Sequence, residues 1–309
     1  MTDDAFDEFS FLPAQAESLG LTTPLPPTER HSLTLADGRT LSALRYGDEP
    51  PVVTFLHGAG LNAHTWDTTI LALGRPALAI DLAGHGDSSW RDDARYVART
   101  LAEDVGPALE AWTEAPQVLV GHSLGALTAT AVAAARGDLV RSLVLIDLTP
   151  GVDPTAGPAQ MRAFFAGPTD WADREELVER ALSFGLGGSR QAATRGVYLN
   201  SRVRPDGRVE WKHHFAHLAA AAAASDAGAS APDAMRELLA ASGWDDLAAV
   251  HTPVTLVRGD AGYVTEADAD EFRRRRPDAD VVVVPAHHNV HEQIPDRLAA
   301  LLGRIVEAA

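Results

Sequence analysis

A serine stands between two glycines in the segment Gly121-His122-Ser123-Leu124-Gly125. The apolar run before it suits a buried strand and the small-residue run after it suits a helix, so the serine falls in the turn between them. Glycines on both sides leave room for a strained backbone that thrusts the hydroxyl out above a sheet, at a helix N-terminus. Such a hydroxyl can attack an electrophile once a base takes its proton. The spacing therefore predicts a nucleophile at Ser123.

A glycine-rich loop that starts at His57 follows the apolar run 52–56. Its glycines let backbone N–H groups face a cavity at the C-terminal end of a strand. We predict that the N–H groups of Ala59 and Leu124 stabilise negative charge on a tetrahedral adduct, which is the role of an oxyanion hole. A structural role is the favoured interpretation of the His57 side chain. The residues predicted to contact the substrate around this loop are His57, Gly58 and His122.

The strands that would position these groups are short apolar runs, most of them separated by helix-length segments. This pattern is typical of buried parallel strands with crossover helices, and it predicts a doubly wound α/β sheet. Before them, two alternating segments around Asp37-Gly38 predict a hairpin at a sheet edge. The hairpin strands are 31–35 and 41–46, and the apolar runs are 52–56, 77–80, 118–120, 143–146, 254–257 and 281–284.

Composition divides the chain into three parts. Residues 1–28 are acidic and then proline-rich, which predicts an irregular arm on the surface. Residues 29–150 and 250–309 carry the strand pattern and form the predicted core. In residues 151–249 that pattern stops, and we expect a helical lid over Ser123. The predicted lid helices are 158–166, 173–184, 190–199, 211–224 and 233–241.

The aromatic residues of the lid are candidates for the wall of an apolar pocket. Among its residues, Phe164, Phe165, Trp211 and His214 are predicted to contact the substrate. Further apolar candidates for the wall are Met161, Trp171, Tyr198 and Phe215. His213 and His217 have the spacing of a helical metal-binding pair, but we expect an exposed helix face or a substrate contact and no metal site.

Composition also limits the partners. With 46% hydrophobic and 22% charged residues, the 309-residue chain suits a globular fold. A formal net charge of −17 argues against nucleic acid or anionic lipid, since both need a positive surface. The absence of cysteine excludes disulfides and thiolate chemistry. The sequence shows neither a signal peptide nor a membrane-length apolar run, so we expect a cytoplasmic protein. The expected partner is a small-molecule substrate, and we expect no cofactor. The sequence leaves open whether the chain forms a homodimer.

Four motifs in a fixed order carry a resemblance. They are His-Gly-x-Gly from His57, Asp-x-x-Gly-His-Gly-x-Ser from Asp81, Gly-His-Ser-Leu-Gly around Ser123, and His-Asn-Val-His from His288. The chain resembles the α/β-hydrolase superfamily over about residues 30–150 and 250–309. The resemblance implies an eight-stranded, mostly parallel sheet, a cap at the insertion, and a triad in the order serine, acid, histidine. It implies no particular substrate, because this fold carries many chemistries.

The resemblance also points to the other triad members. The family pattern of a small residue, His, Asn or Ser and an apolar residue places the general base at His288, with His287 as its rival. Most relatives place the acid in a Gly-x-x-Asp context after the seventh strand, where this chain has Gly262. A smaller group takes it from the end of the sixth strand, which favours Asp147 here and leaves Asp260 as the alternative.

Three functions are open on these grounds. The leading hypothesis is a serine hydrolase that cleaves a carboxylic ester or lactone of a small, largely apolar substrate through an acyl-enzyme on Ser123. The acid after the sixth strand also resembles relatives that are cofactor-free dioxygenases or lyases, in which the histidine acts as the base. The third reading is a ligand-binding protein without turnover.

Overall fold

A computed structural model describes residues 6–152, 167–184, 188–224 and 243–309 of the chain. Two predicted substrate contacts, Phe164 and Phe165, lie outside the described residues, as do Met161 and the helices predicted at 158–166 and 233–241. In the described ranges, no helix is both long enough and apolar enough for a bilayer crossing.

An eight-stranded sheet forms the centre of the fold, in the order β1-β2-β4-β3-β5-β6-β10-β11. The hairpin β1–β2 is antiparallel, β2 runs antiparallel to β4, and the remaining neighbours are parallel. The predicted hairpin and the six predicted parallel-type strands are therefore confirmed as strands. The prediction of burial is wrong for β11, which lies at the sheet edge with Val283 50% exposed. The strands of this sheet are β1 (Thr28–Thr34), β2 (Thr40–Tyr46), β3 (Val53–Leu56), β4 (Ala77–Asp81), β5 (Gln117–His122), β6 (Val140–Ile146), β10 (Val254–Gly259) and β11 (Asp280–Val284).

Helices cover both faces of this sheet. Successive side chains of a strand point to opposite faces, so apolar side chains on both faces need helices to bury them. Leu119 of β5 packs into one buried cluster, whereas its neighbours Val118 and Val120 pack into another. Both faces of the central strands are thus buried, which explains their continuous apolar runs. The helices around the sheet are α2 (Asp67–Leu73), α3 (Ala98–Trp112), α4 (Leu124–Ala135), α8 (Gly243–Ala249), α9 (Glu266–Arg275), α10 (Val290–Gln293) and α11 (Pro295–Ala308).

Residues 167–184 and 188–224, which we call the cap segment, contain strands as well as helices. A three-stranded antiparallel sheet has the order β7-β9-β8. The prediction that strands stop here is therefore wrong, since strands of two or three residues leave no periodic signal. The predicted helix 211–224 begins only at Phe215. The elements are β7 (Asp170–Trp171), α5 (Arg174–Ser183), α6 (Arg190–Asn200), β8 (Ser201–Val203), β9 (Val209–Trp211) and α7 (Phe215–Ala224).

The N-terminal arm is not irregular throughout, contrary to the prediction from its acidic and proline-rich composition. A short 3₁₀ turn at Glu8–Phe11 leads into helix α1 (Leu12–Ser18). Leu12 and Ala16 are buried against Leu71 of α2. These contacts with the core stabilise a helix that is too short to persist on its own propensity.

Candidate active site

Ser123 occupies the predicted sharp turn between β5 and α4. Its backbone has φ 53° and ψ −120°, a positive φ that non-glycine residues adopt only at a cost of about 1–3 kcal/mol. The flanking glycines are required by close packing. A Cβ at Gly121 would lie 2.2 Å from the carbonyl oxygen of Gly125, and one at Gly125 would lie 2.3 Å from the carbonyl oxygen of Leu56. The turn can thus hold the hydroxyl at the C-terminal edge of the sheet.

Asp147 follows β6 directly and its side chain is fully buried. Its Oδ1 accepts a hydrogen bond from the backbone N–H of Gly259 at 3.0 Å. Its Oδ2 accepts two, from the backbone N–H of Tyr263 at 2.7 Å and from Nδ1 of His288 at 2.9 Å. Three donors therefore compensate for the burial of the carboxylate.

The two alternatives for the acid are placed very differently. Asp260 is exposed at the start of the turn after β10, whereas Asp147 is bonded to His288. A Cβ at Gly262 would lie 2.2 to 2.4 Å from the carboxylate atoms of Asp147. A side chain at the position where most relatives carry the acid is therefore incompatible with the observed place of Asp147.

His288 lies in the loop after β11, and the bond from its Nδ1–H to Asp147 leaves Nε2 for a reacting group. Its ring stacks on that of Tyr263, with centroids 3.6 Å apart and planes 10° apart. The side chain is 15% exposed, whereas that of Asp147 is fully buried. Sequence reasoning missed Tyr263, for which no motif gives a signal.

The neighbouring histidines have other partners. His287 is exposed, and its Nδ1 lies 3.3 Å from the carbonyl oxygen of Ala261. His291 is fully buried, with Nε2 2.8 Å from Oγ1 of Thr65. Burial, together with the neighbouring His288 and His57, lowers the pKa of His291 to about 3, so its imidazole is neutral. Among the three, the structure therefore brings His288 to Asp147.

The loop after β3, residues 57–61, forms a turn that we call the oxyanion loop. The backbone N–H of Leu61 donates to the carbonyl of Gly58 at 3.2 Å, and Gly60 has φ 75°. His57 is fully buried, and both of its ring nitrogens are used by the backbone. Nδ1 donates to the Gly58 carbonyl at 2.8 Å, while Nε2 accepts from the N–H of Leu82 at 3.0 Å. These bonds support the favoured structural role of His57, and its contact with a substrate stays a prediction.

The oxyanion loop packs directly on the turn that carries Ser123. A Cβ at Gly58 would lie 3.1 Å from Cβ of Ser123 and 2.8 Å from Nδ1 of His122. The backbone of Gly58 thus lies beside the serine. Leu124 is the first residue of α4, where N–H groups have no partner within the helix, and Ala59 is half-buried on the facing loop. The two predicted donors therefore belong to elements that meet at Ser123.

His122 lies beneath this site. Its side chain is 1% exposed, and its Nε2 donates to the carbonyl of His288 at 3.1 Å. Burial, followed by the neighbouring His291 and His288, holds the pKa of His122 well below its usual value, so the imidazole is neutral. A buried ring that ties the strand end to the histidine loop supports the site from below. The predicted substrate contact of His122 is therefore not what the structure describes.

The predicted contacts in the cap segment pack elsewhere. Trp211 is 4% exposed and packs edge-on against Trp171, with ring centroids 5.4 Å apart, so the structure describes it as part of the cap-segment core, and its contact with the substrate stays a prediction. His214 joins the cap segment to the core. Its ring stacks on Trp90 at 4.3 Å, and its Nδ1 lies 2.7 Å from the hydroxyl of Tyr96.

Among the described residues, no group of three or more His, Asp or Glu side chains could hold a metal ion.

Trp90 is a cap contact that sequence reasoning missed. Its Nε1 donates to the carbonyl of Lys212 at 2.7 Å, and the guanidinium of Arg202 lies 4.9 Å from its ring centroid. With His214 stacked on it as well, this ring joins the core to both β8 and the start of α7. The one signal in the sequence is a tryptophan in an otherwise polar, loop-like stretch.

Comparison with known proteins adds to this geometry. A family model described as the alpha/beta hydrolase family matches residues 55–301. Esterase Rv0045c from Mycobacterium tuberculosis is 35% identical over 319 residues, which cover 99% of both chains. A solved structure of that esterase superposes with a TM-score of 0.81 at 34% identity, covering 98% of this chain and 99% of the other. A 2-(acetamidomethylene)succinate hydrolase from Mesorhizobium japonicum is 30% identical and covers 88% of this chain and 93% of its own.

Proposed function

This chain belongs to the alpha/beta hydrolase family, and we propose that it hydrolyses carboxylic esters or lactones by acylating Ser123. The observation that carries the proposal is the 2.9 Å hydrogen bond between His288 and Asp147, at the sheet edge where the turn of Ser123 also lies. The similarity over the whole chain to a protein named as an esterase supports ester cleavage over other reactions.

The proposed reaction has two halves. Nε2 of His288 takes the proton of the Ser123 hydroxyl while its oxygen attacks the ester carbonyl, and the buried Asp147 stabilises the imidazolium that forms. The N–H groups of Ala59 and Leu124 donate to the oxyanion of the tetrahedral adduct. The imidazolium then gives its proton to the leaving alkoxide. In the second half, His288 activates water, which releases the acid and restores Ser123.

We assign the catalytic core to residues 29–150 and 250–309 and the lid to residues 151–249. The lid sequence is rich in alanine and carries eight of the chain's 19 aromatic residues, which favours a small, largely apolar substrate. A lactone is the intramolecular form of the same bond, so the same residues would open it.

The test is hydrolysis of short-chain aryl esters by the wild type and by Ser123→Ala, with and without oxygen. We expect the substitution to lower kcat at least about 10³-fold, whereas oxygen has no effect. Ser18→Ala is the matched control, because that hydroxyl bonds only to the carbonyl of Gln15 in its own helix. Mass spectrometry of the quenched wild type should find one acyl group on the peptide that contains Ser123.

A different result in this test would favour a second reaction of Asp147 and His288. The Asp147–His288 pair could also act as a base toward an acidic hydroxyl, as in cofactor-free dioxygenases and lyases of this fold. Turnover that consumes oxygen, or cleavage that persists in Ser123→Ala, would refute acyl transfer and support that reaction.

A further inference from the structure

Two asparagines join the cap segment to the oxyanion loop. Asn200, the last residue of α6, donates from Nδ2 to the carbonyl of Gly60 at 2.6 Å. Asn62 of the core donates from Nδ2 to the carbonyl of Leu199 at 2.9 Å and to Oδ1 of Asn200 at 3.3 Å. Asn62 is only 6% exposed, and its bond to Leu199 is buried, whereas the two bonds of Asn200 are partly buried. The cap segment therefore reaches the residue that follows Ala59.

The orientation of both amides is fixed by their other partners. Oδ1 of Asn62 accepts from the backbone N–H of His64 at 3.0 Å, which turns its Nδ2 toward the cap segment. Oδ1 of Asn200 accepts from that Nδ2, which turns the Nδ2 of Asn200 toward Gly60. Reversing the Asn200 amide would place two acceptor oxygens against each other. Asn200 thus acts as a donor to the loop.

Rigid peptide planes carry this contact to the oxyanion hole. The carbonyl of Gly60 and the N–H of Leu61 belong to one planar peptide unit, and that N–H donates to the carbonyl of Gly58. The Gly58 carbonyl belongs to a second peptide plane, which it shares with the N–H of Ala59, the proposed donor to the oxyanion. A hydrogen bond that fixes the Gly60 carbonyl therefore also helps to fix the direction of the Ala59 N–H. The link between the two rigid peptide units is the bond from the Leu61 N–H to the Gly58 carbonyl.

This support comes from two parts of the chain. The core holds the Gly58 carbonyl through the ring of His57. Asn200 of the cap segment donates a hydrogen bond to the carbonyl of Gly60. The φ of Gly60 is 75°, which lies in the region that glycine adopts freely. Without a partner for this carbonyl, the flexible glycine would let the peptide unit rotate. An oxyanion hole is effective only when its donors are aimed before charge develops.

We infer that Asn200 is a positioning residue for the oxyanion hole, so that the cap segment contributes to transition-state stabilisation without touching the substrate. The inference rests on the proposed acyl transfer at Ser123. It predicts that loss of the Asn200 donor lowers the rate of acylation and weakens inhibitors that carry an oxyanion. A residue that only stabilised the cap segment would not affect these two quantities in proportion.

The experiment compares Asn200→Ala and the isosteric Asn200→Asp with the wild type. For each protein, kcat and KM for an aryl ester are measured together with the Ki of an aryl trifluoromethyl ketone, which forms a tetrahedral oxyanion on the serine. We expect kcat/KM to fall about tenfold in Asn200→Ala, mainly through kcat, and Ki to rise by a similar factor. In Asn200→Asp, kcat/KM should fall further than in Asn200→Ala, because a carboxylate oxygen then faces the oxygen of the Gly60 carbonyl.

Ser201→Ala is the matched control. Its hydroxyl is next along the chain and is buried, but it bonds to Arg174 inside the cap segment and not to the oxyanion loop. We expect its kcat/KM and Ki to stay within about twofold of the wild-type values. Thermal melting of every variant shows whether the fold is retained.

The outcomes separate this inference from the function on which it rests. Unchanged kcat/KM and Ki in both Asn200 variants, with an active wild type, would overturn the inference and leave acyl transfer intact. A rise in KM with unchanged Ki would overturn it too, because it would indicate a contact with the substrate or loss of cap structure. A wild type without turnover that depends on Ser123 would overturn the proposed function and the inference together.

Discussion

Replacing the buried carboxylate of Asp147 by an amide gives the sharpest test of the proposed triad. In Asp147→Asn, one oxygen must serve the three donors that the carboxylate now accepts. An oxygen at the Oδ2 position keeps the bonds to Tyr263 and His288, and the new NH₂ group then faces the N–H of Gly259. Two bonds are kept in this orientation and only one in the other, so we expect His288 to retain its tautomer.

The expected loss is then mainly the charge that stabilises the imidazolium. With charge centres about 4 Å apart and an effective dielectric constant of 20, the interaction is worth about 4 kcal/mol. Since about 1.4 kcal/mol corresponds to a factor of ten, kcat should fall about 10³-fold with little change in KM. The unpaired N–H of Gly259 should also lower the free energy of unfolding by about 1–3 kcal/mol.

The assay is ester hydrolysis at saturating substrate, together with urea denaturation of each variant. Asp260→Asn is the matched control, because Asp260 is an exposed carboxylate in the adjoining turn. Its kcat should stay within about threefold of the wild type. A large fall in Asp260→Asn, or a kcat in Asp147→Asn within tenfold of the wild type, would refute the assignment of the acid to Asp147.

Two further predictions concern the ring stacked on His288 and the pair formed by His64 and Glu8. Tyr263→Leu removes the ring stacked on His288, so kcat should fall about threefold to tenfold, the equivalent of one aromatic pair, in the same hydrolysis assay; an unchanged kcat would contradict a role for the stack. Burial lowers the pKa of His64, but Asp67 and Glu8 outweigh it and raise this pKa to about 9. The stabilisation from the His64–Glu8 pair is therefore complete below about pH 6.5 and lost as the pH rises through about 9. The difference in Tm between the wild type and Glu8→Gln should then shrink between about pH 6 and pH 10, leaving a remainder from the ion pair of Glu8 with Arg30. A difference that stays constant over this range would contradict the raised pKa of His64.

The inner strands of the central sheet were predictable because strands such as β3, β4, β5 and β10 are buried on both faces and form apolar runs in the sequence. The turn at Ser123 was predictable as well, since a sharp strand-to-helix turn with close packing requires glycine at fixed spacing. The small sheet of the cap segment was not, because β7 has only two residues. Helix α1 was missed for another reason, since contacts with Leu71 of α2 stabilise it and its own sequence does not.

The roles of individual side chains were harder to predict than the fold. Spacing identifies His57 and His122 as neighbours of the loop and the serine, but only the structure shows that backbone groups occupy both ring nitrogens of His57 and Nε2 of His122. The sequence predicts Trp211 as part of a pocket wall, yet its side chain packs inside the cap segment. Asn62 and Asn200 are 138 positions apart, and their contact depends on how the cap segment lies on the core.

The turn after β10 has a consequence for how related chains diverge. It supplies the acid in most relatives, but here it gives Asp147 only backbone N–H groups and the space left by Gly262. The exposed side chain of Ala261 is therefore free of this constraint, whereas Gly262 cannot gain a side chain while Asp147 keeps its place. An ancestor moving between the two arrangements had to change both positions nearly together, so intermediates with both carboxylates should be rare among descendants.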